Sequence, residues 1–362
     1  MLTERKLAVT RLRAEAMRSI RDFFSGEGYL EVETPILAPG LIPESNIASF
    51  RTRFASPFHP ESELYLLPSP ELWMKQLIAQ GSGSIFQLSR CFRNAEQIGR
   101  IHNPEFTMLE WYTVGSDYLR EIQTTERLFE RLLPPKSDRD PAPEGDPFED
   151  LRPPFRRLSM EEAFSRYAGI DLAACESLEA IEAAARAAGV APPAEQGAHG
   201  SAASPQGAAG PVEPETWESL FNRIFVGRVE PALPQDRPLV LYNYPANLPS
   251  LSRRIPGTPW SERWELYARG CELANCYSEE TDPDRISAFF AQEARRLTAL
   301  GIPVRTEPRF PAIFGPSYPR SSGVALGVDR LVMLLSSERD IGGVILFPFS
   351  AILPGHSTHA LK

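Results

Sequence analysis

A chain of 362 residues that is 42% hydrophobic and 23% charged has enough apolar material for a substantial core, in one large domain or two ordinary ones. Its formal charge of −9 disfavours nonspecific binding along a phosphate backbone, and the basic residues between Arg5 and Arg21 read as a solvated helix face at least as readily as a local basic patch. Neither a secretory leader nor an apolar run of about 18 residues occurs, so a cytoplasmic protein without a membrane span is expected.

Cys91, Cys175, Cys271 and Cys276 lack paired CxxC spacing, and the histidines are scattered, which argues for free thiols and against structural zinc. Apolar residues at Val9, Leu12, Ala16, Ile20 and Phe23 predict a helix over 5–24, stopped by Gly26 and Gly28. "YLEVETP" alternates as a strand that ends at Pro35. "ELYLLPSPELWMKQLIAQG" reads as a strand, a turn at 68–70 and a helix ending at Gly81. In "IFQLSRCFR", strand parity places Gln87, Ser89, Cys91 and Arg93 on one face and Phe86, Leu88 and Phe92 on the other. "EFTMLEWY" likewise groups Phe106, Met108, Glu110 and Tyr112. The loop between them, 94–104, carries Glu96, Arg100 and His102 and is long for a hairpin connection.

Residues 134–235 read as a Pro-rich connector and a helical insertion in an otherwise single domain spanning 1–362. Within that insertion the Ala/Gly/Pro-rich stretch 191–215 has almost nothing to bury and is expected to be disordered. Helical spacing resumes from Trp217 to Phe225, "PLVLYNYP" reads as a buried strand, and "WELYARGCELANCY" continues the sheet. Asp282 and Pro283 start a helix that runs to Gly301. "SSGVALGVDRLVMLL" is a small-residue strand turning into an apolar helix around Asp329 and Arg330.

Arg93 and Arg330 each lie at a strand end on separate segments, and a guanidinium is suited to clamping phosphate oxygens with two donors at once. Structural salt bridges account for them equally well. Glu265 and Glu272 are close enough in sequence to hold Mg²⁺ together, as one or two carboxylates do when substrate phosphates complete the shell. Read as one strand segment the two have opposite parity, so sharing an ion needs a bulge, placed here at Gly270. No GxxxxGK[ST] loop is present, which disfavours a P-loop fold.

Three stretches then fall into a recognisable order. The N-terminal helix with its strand ending at Pro35, "FRNAEQIGRIHNPEFTMLE" and "GVALGVDRL" together resemble the three signature motifs of class II aminoacyl-tRNA synthetases. "HNPEFTMLEWY" and "GCELANCYSEETD" are closest to the lysyl members, and the resemblance covers nearly the whole chain except 134–235. Two features make the chain similar to the PoxA/GenX-type paralogues of lysyl-tRNA synthetase, which modify elongation factor P. The first motif begins near Met1, with no anticodon-binding domain ahead of it, and Ala325 stands where the synthetases carry Gly. An added methyl on a pocket wall alters substrate choice at a scale of roughly 1–3 kcal/mol.

The resemblance implies an α+β fold, the class II catalytic core with an antiparallel sheet flanked by helices, assembled as a homodimer. It implies ATP and Mg²⁺ as cofactors, (R)-β-lysine or lysine as substrate and elongation factor P as partner, with no tRNA. By position it implies Arg93 at the α-phosphate and substrate carboxylate, Arg330 at the γ-phosphate, and Phe106 stacked on adenine. Asn94, Ala95, Glu96, His102, Asn103, Leu266 and Gly327 complete the nucleotide site, and Glu265 and Glu272 hold the metal. Ser69, Pro70, Glu71, Glu110, Tyr112, Glu272, Asn275, Glu279 and Ala325 form the amino-acid pocket. Several acids around one small pocket suit a substrate with two ammonium groups.

One departure stands out. The second motif has Glu two residues after its arginine; here Ala95 occupies that position, Glu96 follows, and the loop is one residue longer. Trp111, Leu109 and Phe92 are read as core, Cys276 as a small buried filler, and Glu31, Glu33 and Glu44 as solvated surface. The expected reaction is formation of an aminoacyl-adenylate and its transfer to a lysine ε-amine of elongation factor P. The rivals are a truncated lysyl-tRNA synthetase-like adenylating ligase and a catalytically silent regulatory module. The silent module is disfavoured because Arg93, Arg330, Glu265 and Glu272 are all present.

Overall fold

Two adjacent strands set the architecture. In β-structure Leu109, Trp111, Val324 and Leu326 must point one way while Met108, Glu110, Tyr112 and Ala325 point the other, so the sheet has an apolar face and a charged one. The computed structural model describes residues 3–95, 98–135, 146–190, 215–302 and 304–353.

The chain opens with helix α1 (Glu4–Gly26), whose first turn is capped by the Thr3 side chain accepting from the Lys6 amide. Strands β1 (Leu30–Glu31) and β2 (Leu37–Ala38) follow, then the hairpin of β3 (Arg51–Ser56) and β4 (His59–Leu66), and helix α2 (Glu71–Ala79). Strands β5 (Ile85–Phe92) and β6 (Glu105–Val114) precede α3 (Tyr118–Leu132), which Asp117 caps. The insertion supplies β7 (Arg156–Ser159) and helices α4 (Met160–Ala168), α5 (Leu178–Ala187) and α6 (Trp217–Ile224). The C-terminal part carries β8 (Leu239–Pro245), β9 (Trp260–Ala268), β10 (Cys271–Ser278), α7 (Pro283–Ala299), β11 (Ser321–Gly327), α8 (Val328–Leu335) and the short α9 (Phe349–Ile352).

Eight strands form one sheet in the order β1-β5-β6-β11-β10-β9-β8-β7, and a separate three-stranded sheet has the order β2-β4-β3. The six central strands are antiparallel, whereas β1 and β7 join the edges in parallel. Against α1, α3 and α8 the sheet presents Phe86, Leu109, Trp111, Trp264, Leu266, Cys276 and Val324, a continuous buried core. Its two tryptophans satisfy their indole N–H groups inside that core, Trp111 on Glu121 at 2.8 Å and Trp264 on the Tyr118 carbonyl at 2.5 Å.

The charged face is covered only at its flanks. On one side α2, α7 and the small sheet pack a second core on Ile85 and Tyr112; on the other α4, α5 and α6 pack a third on Leu239 and Leu241. The gap between those flanks holds the site.

The α+β class and the helix-flanked antiparallel sheet agree with the sequence reading. Four details differ. The first strand shrinks to two residues: after Leu30 pairs with Ile85 and Glu31 with Phe86, "VETP" runs on as an irregular segment with Val32 and Thr34 half-buried and Glu33 and Pro35 exposed. Of the β3–β4 hairpin only the end of β4, in "ELYLL", was foreseen; the rest is mostly exposed on both faces, so no hydrophobic alternation announced β3. The insertion is not purely helical, since β7 extends the main sheet alongside β8. Phe92 is half-buried at the end of β5 instead of in the core. The stretch expected to be disordered lies outside the described residues up to 214; Glu215 is described and pairs with Arg223. Arg5, Arg13 and Arg21 are engaged with Glu338, Asp329 and Glu31, which fits a helix face more than a basic patch. All four cysteines are buried free thiols. No helix among the described residues is long and apolar enough to cross a membrane.

Candidate active site

A cavity of about 550 Å³ opens over the charged face, floored by β6, β8, β9, β10 and β11 and walled by α2, α6, α7 and the start of α8. It holds arginines around a carboxylate pair, and on its wall Glu71 fronts a buried acidic cluster.

The carboxylate pair depends on the β9–β10 hairpin. Arg269 (φ 49°) and Gly270 (φ 69°) form its two-residue turn, and the positive φ at both positions matches the twist that tight hairpins need. Glu265 and Glu272 therefore sit on two strands, not one. The bulge expected at Gly270 lies three residues later, where the register shifts between Glu272 and Ala274. Glu272 faces Tyr267, two residues along β9 from Glu265, and after the bulge Asn275 pairs with Glu265, so all four side chains share the cavity face. Burial pushes the Glu272 carboxyl up to about 7; Glu265 adds to the rise and Arg330, Arg93 and Arg263 oppose it. Two crowded carboxylates of this kind suit a divalent cation, which removes their mutual repulsion. Glu265 already accepts from the Tyr244 and Tyr267 hydroxyls at 2.6 and 2.7 Å and pairs with Arg263 at 2.7 Å. No group of three or more potential metal ligands occurs among the described residues.

Arginines border this pair. Arg93 reaches into the cavity from the end of β5, with its guanidinium 5.2 Å from the Phe106 ring centroid. Arg330, in the first turn of α8, donates to the carbonyls of Glu272 at 2.7 Å and Ile101 at 3.2 Å. The adjacent Asp329 fixes that turn, pairing with Arg13 of α1 at 2.5 Å and accepting the Thr107 amide at 2.6 Å.

His102, Asn103, Phe106 and Gly327 all line the cavity. Asn103 is anchored at both ends of its amide, donating to the Glu105 carbonyl and accepting from the Phe349 amide. Asn94 and Ala95 are exposed and do not line it, and Ala95 has φ 56°, held by its amide donating to Asn94 Oδ1 at 2.9 Å. Glu96 lies outside the described residues. Leu266 corrects the sequence reading: its side chain points into the apolar core on the far face of the sheet, and it does not line the cavity.

The acidic cluster gathers three carboxylates from distant segments; Glu71 lines the cavity, whereas Glu110 and Glu279 are buried behind it and do not. Pro70 starts α2, and Ser69 Oγ accepts the Glu71 amide, which brings Glu71 to the cavity wall. Glu110 of β6 is 3% exposed and accepts from the Tyr112 hydroxyl at 2.6 Å; Glu279, just beyond β10, is 1% exposed. Lys75, fully buried, lies 2.6 Å from both Glu71 Oε1 and Glu279 Oε2 and 3.1 Å from the Tyr277 hydroxyl. Glu279 Oε2 is held by the Lys75 ammonium, while among the described residues neither Glu279 Oε1 nor Glu110 Oε2 has a hydrogen-bond partner. Burial, with Glu71 adding to it, pushes both Glu110 and Glu279 up to about 8, against the pull of Lys75. One ammonium among three carboxylates leaves a shortage of positive charge, and the orphaned acceptors are complementary to an incoming ammonium.

Tyr112 lies behind this wall, and Ala325, across from both Glu110 and Asn275, lines the cavity. Gly323 was missed from sequence. A Cβ there would stand 2.5 Å from Tyr112 Cε1 and 3.0 Å from Glu279 Oε1, so only glycine allows this approach. Arg263 and Lys75 were also missed, although Arg263 shares strand parity with Glu265 and Lys75 falls four residues after Glu71 on a helix. Glu44, expected at the surface, lines the cavity, where burial and then Glu71 push it up to about 7. Glu31 and Glu33 are exposed as expected. From the insertion, Glu218, Phe221, Asn222, Phe225 and Val226 supply one wall.

Comparison with known proteins follows this geometry. Residues 1–351 match the family model described as tRNA synthetases class II (D, K and N). The chain is 35% identical over 340 residues to the elongation factor P--(R)-beta-lysine ligase of Hamiltonella defensa, covering 93% of each protein. With proteins of the same name from Klebsiella pneumoniae and Proteus mirabilis it shares 36% identity over 338 residues and 34% over 339, again across 92–93% of this chain and 93% of theirs.

Proposed function

Since this chain belongs to the family of class II tRNA synthetases (D, K and N), we propose that it is an ATP-dependent ligase that activates (R)-β-lysine or lysine as an acyl-adenylate and transfers it to a lysine side-chain amine of elongation factor P. The observation that carries this reading is one cavity lined by Arg93, Arg330 and the Glu265–Glu272 pair, with Glu71 on its wall in front of buried Glu110 and Glu279, where Glu110 Oε2 and Glu279 Oε1 have no hydrogen-bond partner among the described residues.

In the first step a substrate carboxylate oxygen attacks the α-phosphorus of ATP, and the bond to pyrophosphate breaks. Arg93 and Arg330 are the fixed cations for the charge that grows on the phosphoryl oxygens and on the leaving pyrophosphate. Phe106 offers a ring beside Arg93 for the adenine to stack on. Glu265 and Glu272 are the residues that would hold Mg²⁺, which supplies charge neutralisation at the phosphates when bound. Glu71 at the cavity wall, backed by the buried Glu110 and Glu279, receives the ammonium groups, with Asn275 and Ala325 on the cavity floor. In the second step the unprotonated ε-amine of the acceptor lysine attacks the adenylate carbonyl carbon; AMP departs and the amine gives up a proton. That step rests mainly on positioning. The protein acts in the cytoplasm as a homodimer formed through α1 and β1.

Purified protein incubated with ATP, Mg²⁺, (R)-β-lysine and elongation factor P should release AMP and add the mass of one lysyl group to a single lysine. Absence of amino-acid-dependent pyrophosphate exchange with every lysine isomer overturns the reading. Charging of lysine tRNA in place of the protein acceptor would replace it with a tRNA synthetase activity, and a monomer by light scattering would overturn the dimer.

A further inference from the structure

A lysine inside a pocket built to bind ammonium groups is unexpected, because it occupies the same kind of partner that the substrate needs. Lys75 has no exposed surface, and its ammonium is fixed from four directions: Glu71 and Glu279 each at 2.6 Å, the Tyr277 hydroxyl at 3.1 Å, and the Tyr277 ring with its centroid at 4.9 Å. The Tyr277 hydroxyl in turn donates to the same Glu71 oxygen that Lys75 holds, Oε1, at 2.8 Å. Glu71 is thereby gripped through one oxygen, while its side chain keeps 16% exposure at the cavity wall. A side chain needed only to fill this space would be apolar, since burying an ammonium is expensive unless it is fully paired.

We propose that Lys75 is a positioning residue for the amino-acid substrate: its ammonium locks Glu71 in the orientation that faces the cavity and lets Glu279 and Glu110 ionise beside it when the substrate's own ammonium arrives. This deepens the ligase reading and rests on it. Burial alone would lower the Lys75 pKa, but Glu279 and Glu71 raise it well above its usual value, so the charge persists at every working pH. The groups facing it are Glu71 from α2, Glu110 and Tyr112 from β6, Tyr277 from β10, and Glu279, Tyr318 and Glu44 from the loops. Loss of the cation removes the influence that holds the Glu110 and Glu279 pKa values down, so both must rise further.

The test uses the full chain in pyrophosphate exchange at saturating ATP, with (R)-β-lysine and lysine titrated separately. Lys75→Met, of similar length and no charge, should raise KM about 30-fold or more, as breaking one partner out of a buried charge pair does, with a smaller change in kcat. The acid limb of kcat/KM should also move to higher pH. Lys75→Ala should recover activity with added ethylammonium and not with ethanol. A Lys75→Met protein with wild-type KM and pH profile overturns the proposal. Should that variant not fold, Lys75→Ala refolded with ethylammonium decides: activity that follows ethylammonium concentration supports it, whereas recovery with ethanol, or with neither, overturns it. Wild-type protein that exchanges pyrophosphate with no diamino acid overturns the ligase reading instead.

Discussion

The two acidic regions of the site use the same side chain to opposite ends. Around Glu265 and Glu272 the neighbours are Arg263, Arg93 and Arg330, so local charge is close to balanced and the carboxylates have guanidinium partners nearby. Around Glu71, Glu110 and Glu279 the neighbours are tyrosine hydroxyls and the ammonium of Lys75, and Glu110 Oε2 and Glu279 Oε1 have no donor among the described residues. Glutamate alone therefore does not define a role. A balanced cluster suits a polyanion with its counterion, and an unbalanced one suits a cation.

Removing the outer cations should give the largest effect. Arg93→Ala is expected to slow adenylate formation by about 10²–10³-fold, the usual loss when one preorganised charge at a transition state is deleted. Single-turnover formation of the adenylate checks it, and Arg330→Ala should fall in the same range. In the buried acidic cluster Glu279→Gln keeps the shape and removes the charge. It should raise KM for the diamino acid by about 10–100-fold, with a smaller change in the rate at saturation. If Glu279→Gln slowed saturated turnover as severely as Arg93→Ala, the division between the two regions would fail.

A pH prediction sharpens the same contrast. Glu110 and Glu279 sit at about 8 in the substrate-free protein, raised first by burial, against a usual value of 4.5. A carboxyl with a raised folded-state pKa adds stability below the unfolded value and loses it as pH climbs to the folded one. The substrate-free protein should therefore lose stability from about pH 4.5 to about pH 8 through these groups. Binding a cation favours the ionised forms, and a carboxyl at about 8 goes from about 1% to about half ionised between pH 6 and pH 8, so diamino-acid affinity should increase by roughly 50-fold or more, with protons released on binding. Calorimetry at pH 7 in two buffers of different ionisation enthalpy measures that release. Uptake of protons would reverse the argument.

Much of this site was legible because strand parity is a short-range rule. Phe106, Glu110 and Tyr112 share a face as a period of two requires, and Ala325 lies across from Glu110. What parity could not supply was the hairpin between Glu265 and Glu272 and the extra residue at Leu273, because a bulge resets the alternation that the eye follows. Glu44 sits in an irregular loop whose path depends on long-range contacts, and its neighbour Ser45 is held by Glu293 of α7, so no local pattern marked it as a site residue. β7 is four residues long at a sheet edge, too short for periodicity to register. Lys75 was readable as an i,i+4 partner of Glu71, but such pairs are usually solvated, and only tertiary burial makes this one matter.

The smallest effects should come from two small residues on the same face of β11, Gly323 packed against Tyr112 and Glu279 and Ala325 on the cavity floor. At Gly323 an added methyl would meet Tyr112 at 2.5 and 2.9 Å and Glu279 at 3.0 Å, and Tyr112 is itself buried and bonded to Glu110. Gly323→Ala should therefore displace the ring, destabilise the fold by about 1–3 kcal/mol as overpacking does, and raise KM for the diamino acid about tenfold. Ala325 instead lines open cavity, so Ala325→Gly removes a methyl without creating a clash. Its expected consequence is a shift in preference between lysine isomers of about tenfold or less, with stability lowered by about 0.5–1 kcal/mol, the cost of glycine in a strand. Thermal melts and exchange assays with each isomer separate the two. If Ala325→Gly changed KM for both isomers equally, the wall at Ala325 would carry no selectivity, and discrimination would have to reside in the Glu71–Lys75–Glu279 cluster alone.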